Sequence, residues 1–240
     1  MPLDNLLDPK VDALNTALKH HAAVDILRRA FAAVPNLALV SSFGAQSVAL
    51  LHLAAQVRPD VQVLFIDTML LFPETLTYQR EVARKLGLRR VRAFRADTSA
   101  TDPDNTLHQR DPDACCDLRK TQTLSAALEG FDGWITGRKR YQSGTRADLA
   151  AFEVEAHTGR MKVNPLAHWS AADVDEYMTE NALPRHPLVA RGYPSIGCAP
   201  CTSPVAAGED PRAGRWRGQQ KDECGIHFVD GKMMRTGATT

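Results

Sequence analysis

Five cysteines carry the most chemistry in this 240-residue chain, and their spacing divides them. Cys115 and Cys116 are adjacent in "ACCDLR", Cys198 and Cys201 flank Ala-Pro in "GCAPCT", and Cys224 stands alone in "KDECGIH". Cys-x-x-Cys lets two sulfurs reach one metal, and two pairs together make a four-thiolate site. Asp113 in "DPDA" is expected to cap a helix, which would put Cys115 and Cys116 in its first turn, where positive potential lowers a thiol pKa. Tetrahedral zinc and an iron–sulfur cluster both take four cysteines. Adjacent cysteines are unusual for a zinc ribbon, whereas a cubane spreads its irons so that neighbouring side chains can each take a different one, and the spacing leans toward iron and sulfur. A native disulfide fits least in a reducing compartment. Cys224 is the thiol left over, with His227 three residues on, where a cationic imidazole would stabilise a thiolate or a nearby anion.

A second feature is "SSFGAQS", residues 41 to 47. Small residues between a strand and a helix leave free N–H groups at the positive end of the helix dipole, a cradle for phosphate or sulfate. The loop is not a Walker A motif, because no Gly-Lys-Ser/Thr follows. Ser41, Ser42, Phe43, Gly44, Ala45 and Gln46 are the candidates for anion binding there. A plain strand-to-helix turn with a serine cap is the competing account of the same residues. Among the other histidines, His52, His108, His157, His168 and His186 show no metal-ligand spacing and read as structural or surface residues.

The elements that must position these groups follow from apolar periodicity. Residues 11 to 34 repeat apolar residues at helical spacing up to Pro35. "NLALV", a polar turn, a helical run and the apolar strand "VQVLFID" form a parallel crossover. The pattern repeats through "FPETLTYQREVARKLGL", "VRAF", "DLRKTQTLSAALEG" and "GWITG", predicting a doubly wound, mostly parallel α/β sheet whose ligands sit at the carboxyl ends of the strands. "FEVEAHTGRMKVN" reads as a hairpin and "SAADVDEYMTENAL" as a helix capped by Ser170. One domain, residues 1–240, is expected, with a nucleotide-binding core over about 35–150 and an irregular cysteine-containing extension over about 184–240 that ends in a mobile tail.

Composition bounds the function. With 44% hydrophobic and 24% charged residues the chain fits a globular domain, and a formal charge of +1 gives no net pull toward nucleic acid or an anionic membrane. No stretch suits a spanning helix or a signal peptide, so a cytoplasmic setting is expected. The oligomeric state is left open, a homo-oligomer included.

The loop resembles the pyrophosphate-binding loop of the adenine-nucleotide α-hydrolase-like superfamily, usually Ser-Gly-Gly-x-Asp-Ser; Ser42, Gly44 and Ser47 match, and Phe43 and Gln46 depart from it. The order Cys-Cys, about eighty residues, Cys-x-x-Cys and a terminal Glu-Cys-Gly-hydrophobic-His resembles the iron–sulfur branch of the adenylyl-sulfate and phosphoadenylyl-sulfate reductase family. "DTMLLFPET", "TGRKRYQSGTR", "LPRHPLVARGYPSIGCAPCT" and "RAGRW" extend the likeness from about residue 40 to 230. The resemblance implies a 4Fe-4S cluster on Cys115, Cys116, Cys198 and Cys201. It implies adenylyl sulfate as substrate, its 3'-phosphorylated form being the alternative, and thioredoxin as reductant. It also turns Lys120, Arg138, Arg212, Arg215 and His227 toward substrate binding, where any single arginine would otherwise read as solvated surface charge. Lys120 lies one turn after Cys116, and Arg212 and Arg215 would face one way if their segment is helical. Lys139, Arg140 and Arg146 stay uncommitted. Sulfur in such a substrate is electrophilic and AMP leaves as a stable anion, so Cys224 is the expected nucleophile. Two rivals remain: an ATP-dependent tRNA-thiolating enzyme of the same fold, which would want an acidic residue where Gln46 stands, and a zinc-stabilised binding module without activity.

Overall fold

A computed structural model describes residues 4–218 and Lys221. Cys224, His227 and the expected mobile tail lie outside the described residues. The chain opens with α1 (Asp4–Ala17) and α2 (Ala23–Ala33), then enters β1 (Leu37–Val40), α3 (Ser47–Val57), β2 (Val63–Ile66), α4 (Pro73–Lys85) and β3 (Val91–Phe94). Short helices α5 (Leu107–Arg110) and α6 (Pro112–Cys116) follow, and a π-helical stretch, Asp117–Gln122, continues α6 into α7 (Thr123–Ala127). Next come β4 (Gly133–Ile135), β5 (Phe152–Val154), β6 (Met161–Val163) and α8 (Ala171–Glu180).

The six strands lie in the order β3-β2-β1-β4-β6-β5, all pairs parallel except β5 with β6. This is the doubly wound sheet the apolar runs predict. Strand β2 is buried at every position and β1 at three of four, because helices cover both faces. The sheet order reverses between β1 and β4: the chain moves outward from β1 to β3, then returns to the other side of β1. At such a reversal the loops leaving the two strands diverge and open a crevice at their carboxyl ends. Residues 41–46 leave β1 there, and residues 136–146 leave β4.

Several local expectations are confirmed. The 152–163 segment is the antiparallel hairpin β5–β6, and Ser170 caps α8 with a reciprocal bond to Asp173. Other details differ. The helix over 117–130 is not a separate element but the end of a composite beginning at Pro112, in which a π segment inserts between two α segments. Asp113 does not cap it. With Pro112 at the first helical position, Asp111 precedes it and its side chain accepts from the N–H groups of Asp113 and Ala114, at 3.1 and 2.9 Å. The stretch holding Arg212 and Arg215 is a series of turns rather than a helix.

Beyond α8 the chain folds back on the core. Tyr78 donates to the Pro184 carbonyl, Thr75 bonds to buried His186, Leu71 bridges Cys198, and Ala199 N–H donates to Leu70. The irregular extension is thereby fastened to α4 and to the loop that leaves β2.

Candidate active site

The crevice at the β1–β4 reversal is lined by Ser41, Ser42, Gly44, Ala45, Gln46 and Ser47 on one side. Thr136 to Lys139, Gln142 and Arg146 form the second wall, and Pro194 to Ile196 with Arg212 and Arg215 the third. The 41–47 loop is shaped from within. Ser41 Oγ accepts from Phe43 N–H at 3.1 Å, and Ser47 Oγ accepts from Gly44 N–H at 3.0 Å. Phe43 is the exception among the six loop candidates: its side chain does not line the crevice. It adopts a left-handed φ of 49° and is fully buried, its ring set edge-on to Phe65 at 5.4 Å. An aromatic thus holds a conformation that glycine adopts more cheaply, and burial offsets the strain. Gln46 Oε1 accepts from Tyr141 O–H at 2.7 Å, tying the two rims together.

Five basic side chains converge on this crevice: Arg138, Lys139, Arg146, Arg212 and Arg215. Arg138 is engaged, bonding to Glu153 and, at 3.3 Å, to Asn164. Lys139 is 2% exposed and donates to the Gly137 carbonyl at 3.1 Å; burial, reinforced by Arg146, pulls its pKa down to about 7. Lys139 and Arg146 were not singled out by sequence alone, although their position just past a strand end was the available signal. Arg215 passes over Gly197, where a methyl group would overlap its guanidinium. Because the far end of a flexible side chain can shift, Gly197→Ala is expected to keep the fold, with less than about 1 kcal/mol lost, yet to displace Arg215 and weaken anion binding roughly tenfold. Thermal melts and anion titration read the two effects separately; loss of stability without loss of binding would contradict the placement.

None of the four described thiols lines the crevice. Cys115, Cys116 and Cys198 are buried, Cys201 is half-buried, and none is in a disulfide. They come from α6 and from the extension, and each pair feels the other's charge. The expected lowering of the thiol pKa is reversed. Burial, then the charge of Cys116, pushes Cys115 up to about 11, and burial with Cys198 raises Cys201. Desolvation outweighs a helix of five residues whose N-terminal amides are already taken by Asp111. Among the described residues, no three or more His, Cys, Asp or Glu side chains are arranged to hold a single metal ion. Lys120 is buried and acts on Cys201, as does Arg215; Lys120 is not among the crevice-lining residues, whereas Arg215 faces both crevice and thiols.

One side chain ties both cysteine pairs together. Arg119, 1% exposed, donates to Asp102 at 2.5 Å, to Asn105 at 2.7 Å and to the Thr68 carbonyl at 2.8 Å, while Thr68 Oγ1 lies 3.2 Å from Cys198 Sγ. Trp216, with a left-handed φ of 47°, donates its backbone N–H to the Cys201 carbonyl, and its buried Nε1–H has no acceptor among the described residues.

Known proteins bear on this arrangement. The phosphoadenosine phosphosulfate reductase domain matches residues 36–204. The adenosine 5'-phosphosulfate reductase of Mesorhizobium japonicum is 42% identical over 249 residues, covering 99% of this chain and 97% of that one. The enzyme of the same name from a Chelativorans species is 45% identical over 231 residues, covering 95% and 94%. Among solved structures, the phosphoadenylyl-sulfate reductase of Candida auris in a phosphate complex superposes with a TM-score of 0.71 at 28% identity, over 85% of this chain and 98% of that one.

Proposed function

Because the chain belongs to the phosphoadenosine phosphosulfate reductase domain family, an enzyme family of sulfur-group oxidoreduction, we propose that it reduces adenylyl sulfate to sulfite and AMP in sulfate assimilation, with Cys224 as nucleophile and thioredoxin as reductant. The observation that carries this reading is the basic crevice at the sheet reversal, with Arg215 facing both it and Cys201. In this proposal the core over about 35–150 supplies the nucleotide end together with Cys115 and Cys116, the extension over about 184–240 supplies Cys198, Cys201 and the nucleophile Cys224, and a cytoplasmic setting keeps the thiols reduced. Among the described residues, no helix is long and apolar enough to cross a membrane.

The anionic phosphosulfate lies along the 41–46 loop, where α3 presents its N-terminus, and Lys139, Arg146, Arg212 and Arg215 balance its charge. The Cys224 thiolate attacks the sulfuryl sulfur. An Sγ–S bond forms as the bond from sulfur to the phosphate oxygen breaks, and the electron pair leaves with AMP. A reductant thiolate then attacks Cys224 Sγ, sulfite departs with the Sγ–S electron pair, and the reductant's second thiol closes its own disulfide and returns the Cys224 thiolate. The two electrons come from that external dithiol, since the other four cysteines are committed elsewhere. His227 is assigned to the sulfuryl oxygens.

Cys115, Cys116, Cys198 and Cys201 would hold a 4Fe-4S cluster, which when bound supplies fixed charge beside Lys120 and Arg215. The donor set supports this: four cysteine sulfurs, three buried and one half-buried, with burial raising the Cys115 and Cys201 thiols, suit a cationic iron core that would take them as thiolates. The buried Trp216 Nε1–H, without an acceptor among the described residues, is a donor suited to anionic sulfur.

Parallel turnover of adenylyl sulfate and its 3'-phosphorylated form on anaerobically purified protein, with iron and sulfide counted, tests substrate and cofactor together. Preference for the first with iron bound supports the reading, and zinc with no turnover of either overturns it. The 3'-phosphorylated substrate is kept as the second reading because the Candida auris neighbour is a phosphoadenylyl-sulfate reductase. A pH effect follows from Lys139. Its amine is charged below about pH 7 and neutral above it, so kcat/KM for the anionic substrate should fall about tenfold as pH rises through 7. Lys139→Met should remove that falling limb; a limb unchanged in the variant would assign it to another group.

A further inference from the structure

Lys221 stands three positions before Cys224 and closes the described chain. Its side chain is only 8% exposed, unusual for a lysine unless it is paired. The pairing is specific. Nζ lies 2.5 Å from Asp113 Oδ1, donates to the Pro112 carbonyl at 3.5 Å, faces the Cys116 sulfur, and sits 5.8 Å from the centre of the Trp216 ring. Asp113 and Pro112 open the helix that carries Cys115 and Cys116, and Trp216 is bonded to Cys201. All these contacts reach more than a hundred residues back in sequence or into the extension beside the thiols.

We propose that Lys221 is a positioning residue: its ammonium pins the root of the segment bearing Cys224 to the start of α6 and to Trp216, whose ring lies 4.4 Å from the guanidinium of crevice-lining Arg215, and so limits how far from that arginine the nucleophile can reach. The proposal rests on Cys224 being the nucleophile. Covalent reach gives its size. From Lys221, three residues extend at most roughly 11 Å to the Cys224 Cα, whereas from Gly218, the preceding described residue, six residues extend roughly 21 Å. The volume open to Cys224 therefore shrinks roughly eightfold on the rigid-reach limit, and roughly threefold for a flexible chain whose span grows as the square root of its length. The local concentration of the thiol rises by the same factor. Substrate contacts are untouched, so the effect belongs to the cleavage step and not to KM.

The pin explains two observations that otherwise stand apart. Asp113, expected as the helix cap, is displaced from that role by Asp111 and is left to receive a distant lysine. Lys221 is drawn into a buried position although it lies nineteen residues from the chain end. An ion pair buried at its lysine end is a poor source of net stability, yet it fixes one arrangement over others, which is what a nucleophile on a terminal segment requires.

Single-turnover AMP release from adenylyl sulfate, KM, and iron per chain are to be measured for Lys221→Met, Lys221→Arg, Asp113→Asn and the Lys221→Met/Asp113→Asn double variant, with the mobility of a nitroxide label on Cys224 followed in parallel. Lys221→Met should slow AMP release three- to eightfold and raise label mobility, with KM and iron unchanged. Arginine should restore most of the rate, and the double variant should be no slower than the single one. Wild-type release and mobility in Lys221→Met, or rate and iron lost together, would overturn the proposal. Failure of the nucleophile assignment is read separately: Cys224→Ser would then still release AMP, whereas the label reports on the pin whichever thiol reacts.

Discussion

Cys224→Ser is expected to abolish AMP and sulfite release from adenylyl sulfate, by roughly a thousandfold or more, while the protein keeps its iron and its colour. A hydroxyl is a far weaker nucleophile than a thiolate at neutral pH, and losing a covalent nucleophile removes a step rather than a contact. The separation of the two readouts is the decisive part. The other four cysteines come from α6 and the extension, and in the proposed scheme they alone hold the cluster. Cys224 contributes nothing to that site in the proposed scheme. Replacing Cys198 or Cys116 should do the reverse, losing iron first. Full sulfite production by Cys224→Ser would remove the nucleophile from the scheme, and iron loss in the same variant would place Cys224 among the ligands.

Arg119→Leu should be the most destabilising single change near the site, by about 3–5 kcal/mol. Asp102 is fully buried, and without Arg119 its carboxylate has lost its close charged partner and keeps only the exposed Arg110, at 3.9 Å. Burial opposes ionisation of Asp102, but the Arg119 hydrogen bond, the Leu107 N–H and the Arg119 charge outweigh it and hold the carboxyl below its ordinary value of 3.8. A lowered folded-state pKa means the pair's contribution is fully present above that ordinary value and lost as pH falls through the lower folded one. The gap between wild type and variant should therefore narrow in acid, which denaturant titrations at pH 7 and below pH 4 would show. Thr68 and Asn105 also lose a donor, so iron retention should suffer with stability. A double Asp102→Leu/Arg119→Leu variant should recover part of the loss, because no charge is then left buried alone. A gap that stays constant with pH would mean that Asp102 is not the group at stake.

The regular core was legible because burial writes itself into spacing. "VQVLFID" is apolar throughout and becomes a strand buried at every position, and the β1 and β4 loops fall at one crevice because parallel strands share an end. The close cysteine pairs were legible in the same way, and the structure adds that three of those four sulfurs are buried. What stayed hidden depends on distant partners. An arginine reads as surface charge until Asp102 is seen beside it, and nothing near Lys221 announces Asp113. The pKa direction at Cys115 was misjudged because helix polarity is visible in "DPDA" while burial is not. Arg212 and Arg215 do share the crevice, but through turns instead of the helical face their spacing suggested. Gln46 bears on the tRNA-thiolating rival: it is bonded to Tyr141 at the rim and offers no carboxylate to the crevice.

The π-helical stretch at Asp117–Gln122 divides one helix between two duties. Ahead of it, α6 must present two adjacent sulfurs; behind it, Leu124, Ala127 and Leu128 must seat against Leu64, Ile66 and Trp134. A uniform α-helix would lock those demands to a single angular phase, so that any adjustment of the packing face would swing the sulfurs as well. One wider turn resets the phase between them, as π insertions do at many functional sites. The sheet-facing half is thereby free to drift in sequence as core residues do, while the sulfur-bearing half answers only to its own partners.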